Sequence, residues 1–381
     1  MPLLKKKILF FSPLAARNGA EMMLFHLVNN IDRGKFEVAV FFNQQGELVN
    51  DFKKIGIPVF VSPYRQSRYH FHYNRLRKKV FGISAYEKFI QKIHSEFKPD
   101  LWYVNTFKLN GIFPLAKKMG VTCVLHTHEN HLHFQEIKKE ELANICKADM
   151  VVACAEWVAE AYRNLGMQRV EVLYEMVDLS AIKASSTAAA KLRQKHHIPI
   201  TSYVWLMSGN TAYRKGIDLI PDIIENVNRT NVFFVWMGPV PKDALWAYVQ
   251  RQIQIKGIKN FIHVGAQNEN YYEYMNMCDG FMLCARYDSF PLVMTEAAAL
   301  GKPIAAFNSF GVNEFLKNDM GAIVNNHNPA DLAKVMCDIM DKKVVCNTET
   351  IKARAKDFDA PVLTAKWQWM MENFLNTKHE A

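Results

Sequence analysis

Short, uncharged apolar runs recur along nearly the whole chain, and their rhythm limits the fold more than any other feature. They are Ile8–Phe11, Phe36–Phe42, Val59–Val61, Leu101–Val104, Val121–Leu125, Met150–Ala153 and Val170–Leu173, then Val204–Met207, Val232–Met237, Phe261–Val264, Phe281–Cys284 and Ile304–Phe307. Such runs suit strands buried on both faces of a parallel sheet. Amphipathic stretches separate them, and that alternation predicts doubly wound α/β architecture.

A chain of 381 residues is long for one core and fits two domains. We expect an N-terminal α/β domain over 1–180, a connection over 181–197, a second α/β domain over 198–360 and a terminal helix over 361–381. The connection is read from Ser185-Ser186-Thr187 followed by three alanines and a cationic run. Seven scattered cysteines without CxxC spacing read as reduced thiols in a cytosolic protein. Lys5-Lys6-Lys7 could introduce a signal peptide, but Ser12-Pro13 cuts the apolar run short, so a first strand is expected. No run approaches the length of a membrane span.

The formal net charge is +10, most of it in the first half, and Phe52 to Tyr86 holds no acidic residue. Arg65, Arg68, Arg75, Arg77, Lys78 and Lys79 alternate there with tyrosine and phenylalanine. Cations among interfacial aromatics suit an anionic membrane surface at roughly 1 kcal/mol per cation. The same run also fits an ordinary solvated face. Nucleic acid is not the expected partner, because no recognised binding module accompanies the patch.

The candidate chemistry centres on 281–307. A strand runs into a loop with Asp288, Ser289 and Pro291, a helix is predicted over Leu292–Leu300, Gly301 closes it, and a second strand follows. In open α/β sheets, ligands bind at the carboxyl ends of strands. Amides around Phe290, Pro291, Leu292 and Val293, with the helix dipole, would attract a diphosphate. Glu296 lies one turn further in and can accept from a ribose diol, while Asp288 can hold sugar hydroxyls. By spacing alone, a turn cap and a solvated glutamate fit equally well.

This unit resembles the acid, seven residues, acid signature of the group 1 glycosyltransferases of family 4, with Asp288 where that family usually has Glu. Asp-x-Phe-Pro-Leu-Val is similar to bacterial surface-polysaccharide members. The resemblance extends to Asn18-Gly19-Ala20-Glu21, which is similar to a Gly-Gly-Ala-Glu turn with its first glycine replaced. It also covers Gly209, Asn210, Arg214, Lys215 and Gly216, similar to an Arg-Lys-Gly segment. It implies a GT-B fold, with two Rossmann-like domains facing a cleft and a C-terminal helix crossing back to the first. Arg214 and Lys215 would neutralise a nucleotide diphosphate, with Gly19 facing it from the other domain. His126 and His128, at a strand end, are the candidates to sit beside the anomeric carbon; residue chemistry does not choose between them. The run of four histidines from His126 to His133 lacks helical zinc spacing, and no metal or cofactor is expected. Asp357-Phe358-Asp359 reads as a helix entry rather than a metal motif.

The implied function is retaining transfer of a sugar from a nucleotide-diphosphate sugar to a hydroxyl, on a glycan or lipid-linked acceptor. The expected location is the cytoplasm, with peripheral attachment to the anionic inner membrane surface as its extension. A GT-B epimerase or phosphorylase and a non-catalytic nucleotide-sugar-binding protein remain open. A dinucleotide oxidoreductase lacks support, because no Gly-x-Gly-x-x-Gly follows the first strand.

Overall fold

The computed structural model describes residues 5–64, 68–240 and 243–379. The chain divides into two compact units, one formed by 1–176 with 363–381 and the other by 177–362. Each holds one parallel sheet flanked by helices.

In the first unit the strands are β1 (Lys6–Ser12), β2 (Phe36–Phe42), β3 (Val59–Val61), β4 (Leu101–Asn105), β5 (Thr122–Thr127), β6 (Met150–Ala153) and β7 (Val170–Val172). Their spatial order is β3-β2-β1-β4-β5-β6-β7. β1 lies between β2 and β4, with Ile8 level with both Val38 and Leu101. Its residues Ile8 to Phe11 are fully buried, which is why the run carries no charge. The order reverses between β1 and β4, and such a switch point leaves a crevice at the strands' carboxyl ends.

The second unit holds β8 (Tyr203–Ser208), β9 (Val232–Met237), β10 (Phe261–Gly265), β11 (Gly280–Leu283), β12 (Ile304–Phe307) and β13 (Gly321–Val324). Their order is β10-β9-β8-β11-β12-β13, with the switch point between β8 and β11. β13 has no counterpart in the sequence reading. It is an edge strand of four residues, only Val324 fully buried, so the apolar signal is weak.

The stretch 181–197, expected as a connection, carries the helix Ser186–Lys195 and belongs to the second unit. It is anchored through a buried cation rather than an apolar stripe. Arg193 donates to the carbonyls of Met277 and Ser202, and to Asp279 at 2.7 Å. Hydrophobic periodicity has no way of registering such an anchor.

The last helix, Ala360–His379, packs its Trp367 ring against Phe10, Phe36 and Tyr103 of the first sheet, with centroids 5.6–5.8 Å apart. Asp359 caps its entry, accepting from the Ala360 and Leu179 amides at 2.9 and 3.1 Å. Among the described residues, no helix is long and apolar enough to cross a membrane.

Candidate active site

At the carboxyl ends of β8 and β11, the second unit gathers the residues singled out around the acid pair. The loop after β8 passes Gly209 and Asn210 and forms a single turn at Tyr213–Lys215, closed by Gly216. Gly216 is left-handed at φ 74°, and a Cβ there would lie 2.0 Å from the Cys284 carbonyl oxygen. Only glycine lets this turn press against the end of β11. The contact brings Lys215 Nζ onto the Asp288 carboxylate, with Arg214 Nη1 at 3.5 Å from the same oxygen. Burial works to raise the Asp288 carboxyl, yet the two cations hold it below its ordinary value.

Arg286 supports this arrangement from outside. It forks onto Asp218 at 2.7 and 2.8 Å and lies 3.8 Å over the Tyr213 ring, while its amide donates to the Arg214 carbonyl. The backbone of the cationic turn is therefore fixed, and Arg214 remains about one-third exposed.

The predicted helix forms as Leu292–Ala299, with Pro291 as its entry residue. Pro291 has no side-chain donor or acceptor for capping, so the first-turn amides of Leu292 and Val293 keep the capacity to bind an anion. Phe290 contributes only backbone here. Its ring is buried against Phe315 and Phe358, with centroids at 6.1 and 5.2 Å.

Glu296 accepts from Tyr271 Oη at 2.7 Å and Tyr272 Oη at 3.3 Å. Burial pushes its carboxyl above the ordinary range despite both bonds. Tyr271 also reaches Ser208 Oγ at 3.3 Å, so it links the end of β8 to the helix. The two tyrosines are absent from the sequence reading. An adjacent aromatic pair opening the helix Tyr271–Met277 looks like core, and only the structure turns its hydroxyls onto a carboxylate.

The first unit holds a second polar cluster at its own switch point. Gly19 opens the helix Gly19–Asn30, and Ala20 offers its carbonyl to Asn105 Nδ2 at 3.0 Å. His126 and His128 lie in and just after β5, with ring centroids 4.5 Å apart. His126 is fully buried against Tyr103, and neither ring nitrogen has a hydrogen-bond partner. Burial and the neighbouring His128 depress its pKa well below the ordinary value. His128 instead meets Glu175 at 2.6 Å and Asn105 at 2.8 Å. Glu175 and Asn105 were not singled out from sequence, because neither stands in a motif. His133 meets Asn130 Oδ1 at 3.2 Å.

Of the basic segment, Arg65 lies outside the described residues, and of Arg68 only the backbone is described. The helix Arg68–Phe81 exposes Leu76 and Phe81, at 63% and 69%, beside Arg75 and Lys79. Arg77 lies 5.5 Å over Phe81, and Lys78 pairs with Glu87 at 2.8 Å. Next to this helix, a cavity of about 620 Å³ has Leu109 and Ile112 in its wall and Lys78, Lys108, Lys118 and Lys147 among its lining.

Two family profiles match the chain in succession: "Glycosyltransferase Family 4" over residues 17–181 and "Glycosyl transferases group 1" over 189–357. A curated D-inositol 3-phosphate glycosyltransferase of Xylanimonas cellulosilytica is 23% identical over 202 residues, 50% of this chain and 48% of that protein. The chain thus spans about half the length of that relative. Among solved structures, Anabaena Alr3699/HepE in complex with UDP and glucose superposes with a TM-score of 0.81 at 20% identity. The match covers 97% of this chain and 100% of that one. Sucrose-phosphate synthase from Thermosynechococcus elongatus gives 0.77 at 14% identity, covering 98% and 100%.

Proposed function

The chain belongs to the group 1 glycosyltransferases of family 4 and has the GT-B fold; on that premise we propose that it transfers a sugar from a nucleotide-diphosphate sugar to a hydroxyl acceptor, with retention of configuration and without a metal. One observation carries the reading: Arg214 and Lys215 meet Asp288 in the loops after β8 and β11, and Glu296 lies one turn into the Leu292–Ala299 helix that follows, held by Tyr271 and Tyr272. The Anabaena relative was solved with UDP and with UDP-glucose, which supports a nucleotide-sugar donor.

The roles follow from the chemistry of each group. Lys215 has three N–H donors, so it can hold Asp288 and a phosphate oxygen together. Arg214 and the helix amides supply the remaining charge, which takes the part a metal plays elsewhere. Glu296 has about four acceptor directions, and its two tyrosines occupy two, leaving others for a ribose diol. Asp288 then faces the transferred sugar. In the reaction the acceptor oxygen bonds to the anomeric carbon as the bond from that carbon to the diphosphate breaks. The electron pair of the broken bond stays on the diphosphate oxygen, which takes the acceptor's hydroxyl proton. Positive groups fixed around that oxygen stabilise the transition state more than the ground state.

The acceptor side is supported by the lysine-lined cavity with its apolar wall and by the adjoining helix with exposed Leu76 and Phe81. A cationic, partly apolar recess beside an amphipathic helix suits a phosphate-bearing lipid-linked or polysaccharide precursor. Calorimetric titration with UDP, GDP and ADP tests the donor site. Glu296→Ala should weaken the preferred nucleotide by about 1–3 kcal/mol, the cost of lost buried hydrogen bonds. Unchanged affinity would remove the ribose role. Mass spectrometry of products separates transfer from epimerisation or phosphorolysis.

A further inference from the structure

The polar chain through β4 and β5 fixes a protonation state by its hydrogen-bond directions. Asn105 Nδ2 can only donate, and it meets the Ala20 carbonyl oxygen at 3.0 Å. That contact orients the amide, so its acceptor Oδ1 faces His128 Nε2 at 2.8 Å. Reversing the amide would set two oxygens against each other at Ala20, so Nε2 must carry a hydrogen. On the other side of the ring, Nδ1 lies 2.6 Å from Glu175 Oε1. Either the ring donates to a carboxylate or a carboxylic acid donates to the ring. The raised proton affinity of His128 puts the shared proton on the ring, with Nδ1 donating to Glu175.

The surroundings reinforce that choice. Glu129 follows His128 directly, and Glu21 faces it from the Gly19–Asn30 helix, with Lys108 acting on Glu21 in turn. The His126 ring lies 4.5 Å from that of His128, and burial pushes the His126 pKa well below its ordinary value, which works against an opposing charge there. Burial alone would discharge His128, but the three carboxylates outweigh it and raise its proton affinity.

We propose that Glu175 and Asn105 are positioning residues that hold His128 as a permanent imidazolium, with neither ring nitrogen free to act as a base. This rests on the proposed function and on the family likeness, which sets a histidine at this strand end beside the transferred sugar. With both N–H groups committed, the ring has no lone pair for the acceptor's proton. The proton then goes to the departing diphosphate oxygen, as in the reaction proposed above.

Long-range ¹H–¹⁵N correlation spectra of the full-length protein, with His128→Gln identifying the signal, read the ring directly. Both His128 nitrogens should appear protonated from pH 6 to pH 8. A neutral tautomer at pH 7 overturns the proposal without any variant. In Glu175→Gln the carboxamide keeps a hydrogen bond but not the charge, so the ring should become a neutral Nε2–H tautomer and titrate at lower pH. In transfer assays the same variant should lose kcat on the order of 10-fold at pH 8. It should recover as the pH falls, with KM for the donor little changed. A loss equal at every pH would mark a merely structural glutamate and overturn the positioning role. An imidazolium spectrum from a chain that transfers no sugar would uphold the charge state and count against the proposed function instead.

Discussion

Asp288 balances burial against two cations, and the balance makes a pH prediction at the level of one residue. Its folded pKa is depressed, so its contribution to stability is fully present above the unfolded value of about 3.9. The contribution is lost as pH falls from there through the folded value. Asp288→Asn should therefore lower Tm by a constant amount between pH 6 and 8, and the difference should close only below about pH 4. A Tm gap that widens on acidification would contradict this sign. Lys215→Ala should remove the main partner and raise the Asp288 pKa, while costing nucleotide affinity in the same calorimetric titration. At this scale the sequence named Arg214, Lys215, Asp288 and Glu296 from their spacing and family likeness. It could not choose between His126 and His128, because the choice depends on which ring finds partners. His126 finds none and His128 finds Glu175, 47 positions away in the chain.

Two elements hold their sites through single contacts that substitution can test. The turn at Gly216 needs both a left-handed backbone and room beside the Cys284 carbonyl. Gly216→Ala should destabilise the second unit by about 1–3 kcal/mol, read as a lower urea midpoint, with weaker nucleotide binding as the cationic turn shifts. An unchanged midpoint would mean that β11 yields at no cost. The terminal helix depends on Trp367, fully buried against three aromatic rings. Trp367→Ala should cost about 3–5 kcal/mol in the first unit, since the void opens against three strands of the sheet. Most strands were legible because each is a run buried on both faces. The edge strand β13 and the Arg193-anchored helix were not, because neither shows a strong apolar pattern.

For the whole molecule, the +10 charge is a statement about partners rather than about the fold. The helix Arg68–Phe81 concentrates cations and exposed apolar side chains in one element. Co-sedimentation should show binding to vesicles rich in anionic lipid and weak binding to neutral ones, falling steeply as salt rises. Replacing Leu76, Val80 and Phe81 together by serine should abolish binding that survives high salt; unchanged sedimentation would remove the membrane role. By itself the sequence determined the two parallel sheets and named the cationic and acidic residues that the second unit gathers. Their signals are local: apolar runs of strand length, and motifs whose members lie within a turn or a loop of one another. Only the tertiary structure decided that Tyr271 and Tyr272 turn onto Glu296, that the segment 181–197 belongs to the second unit, and that His128 rather than His126 meets Glu175 and Asn105. Each of these depends on where a polar group meets its partner across the fold, and no periodicity in a chain records that distance.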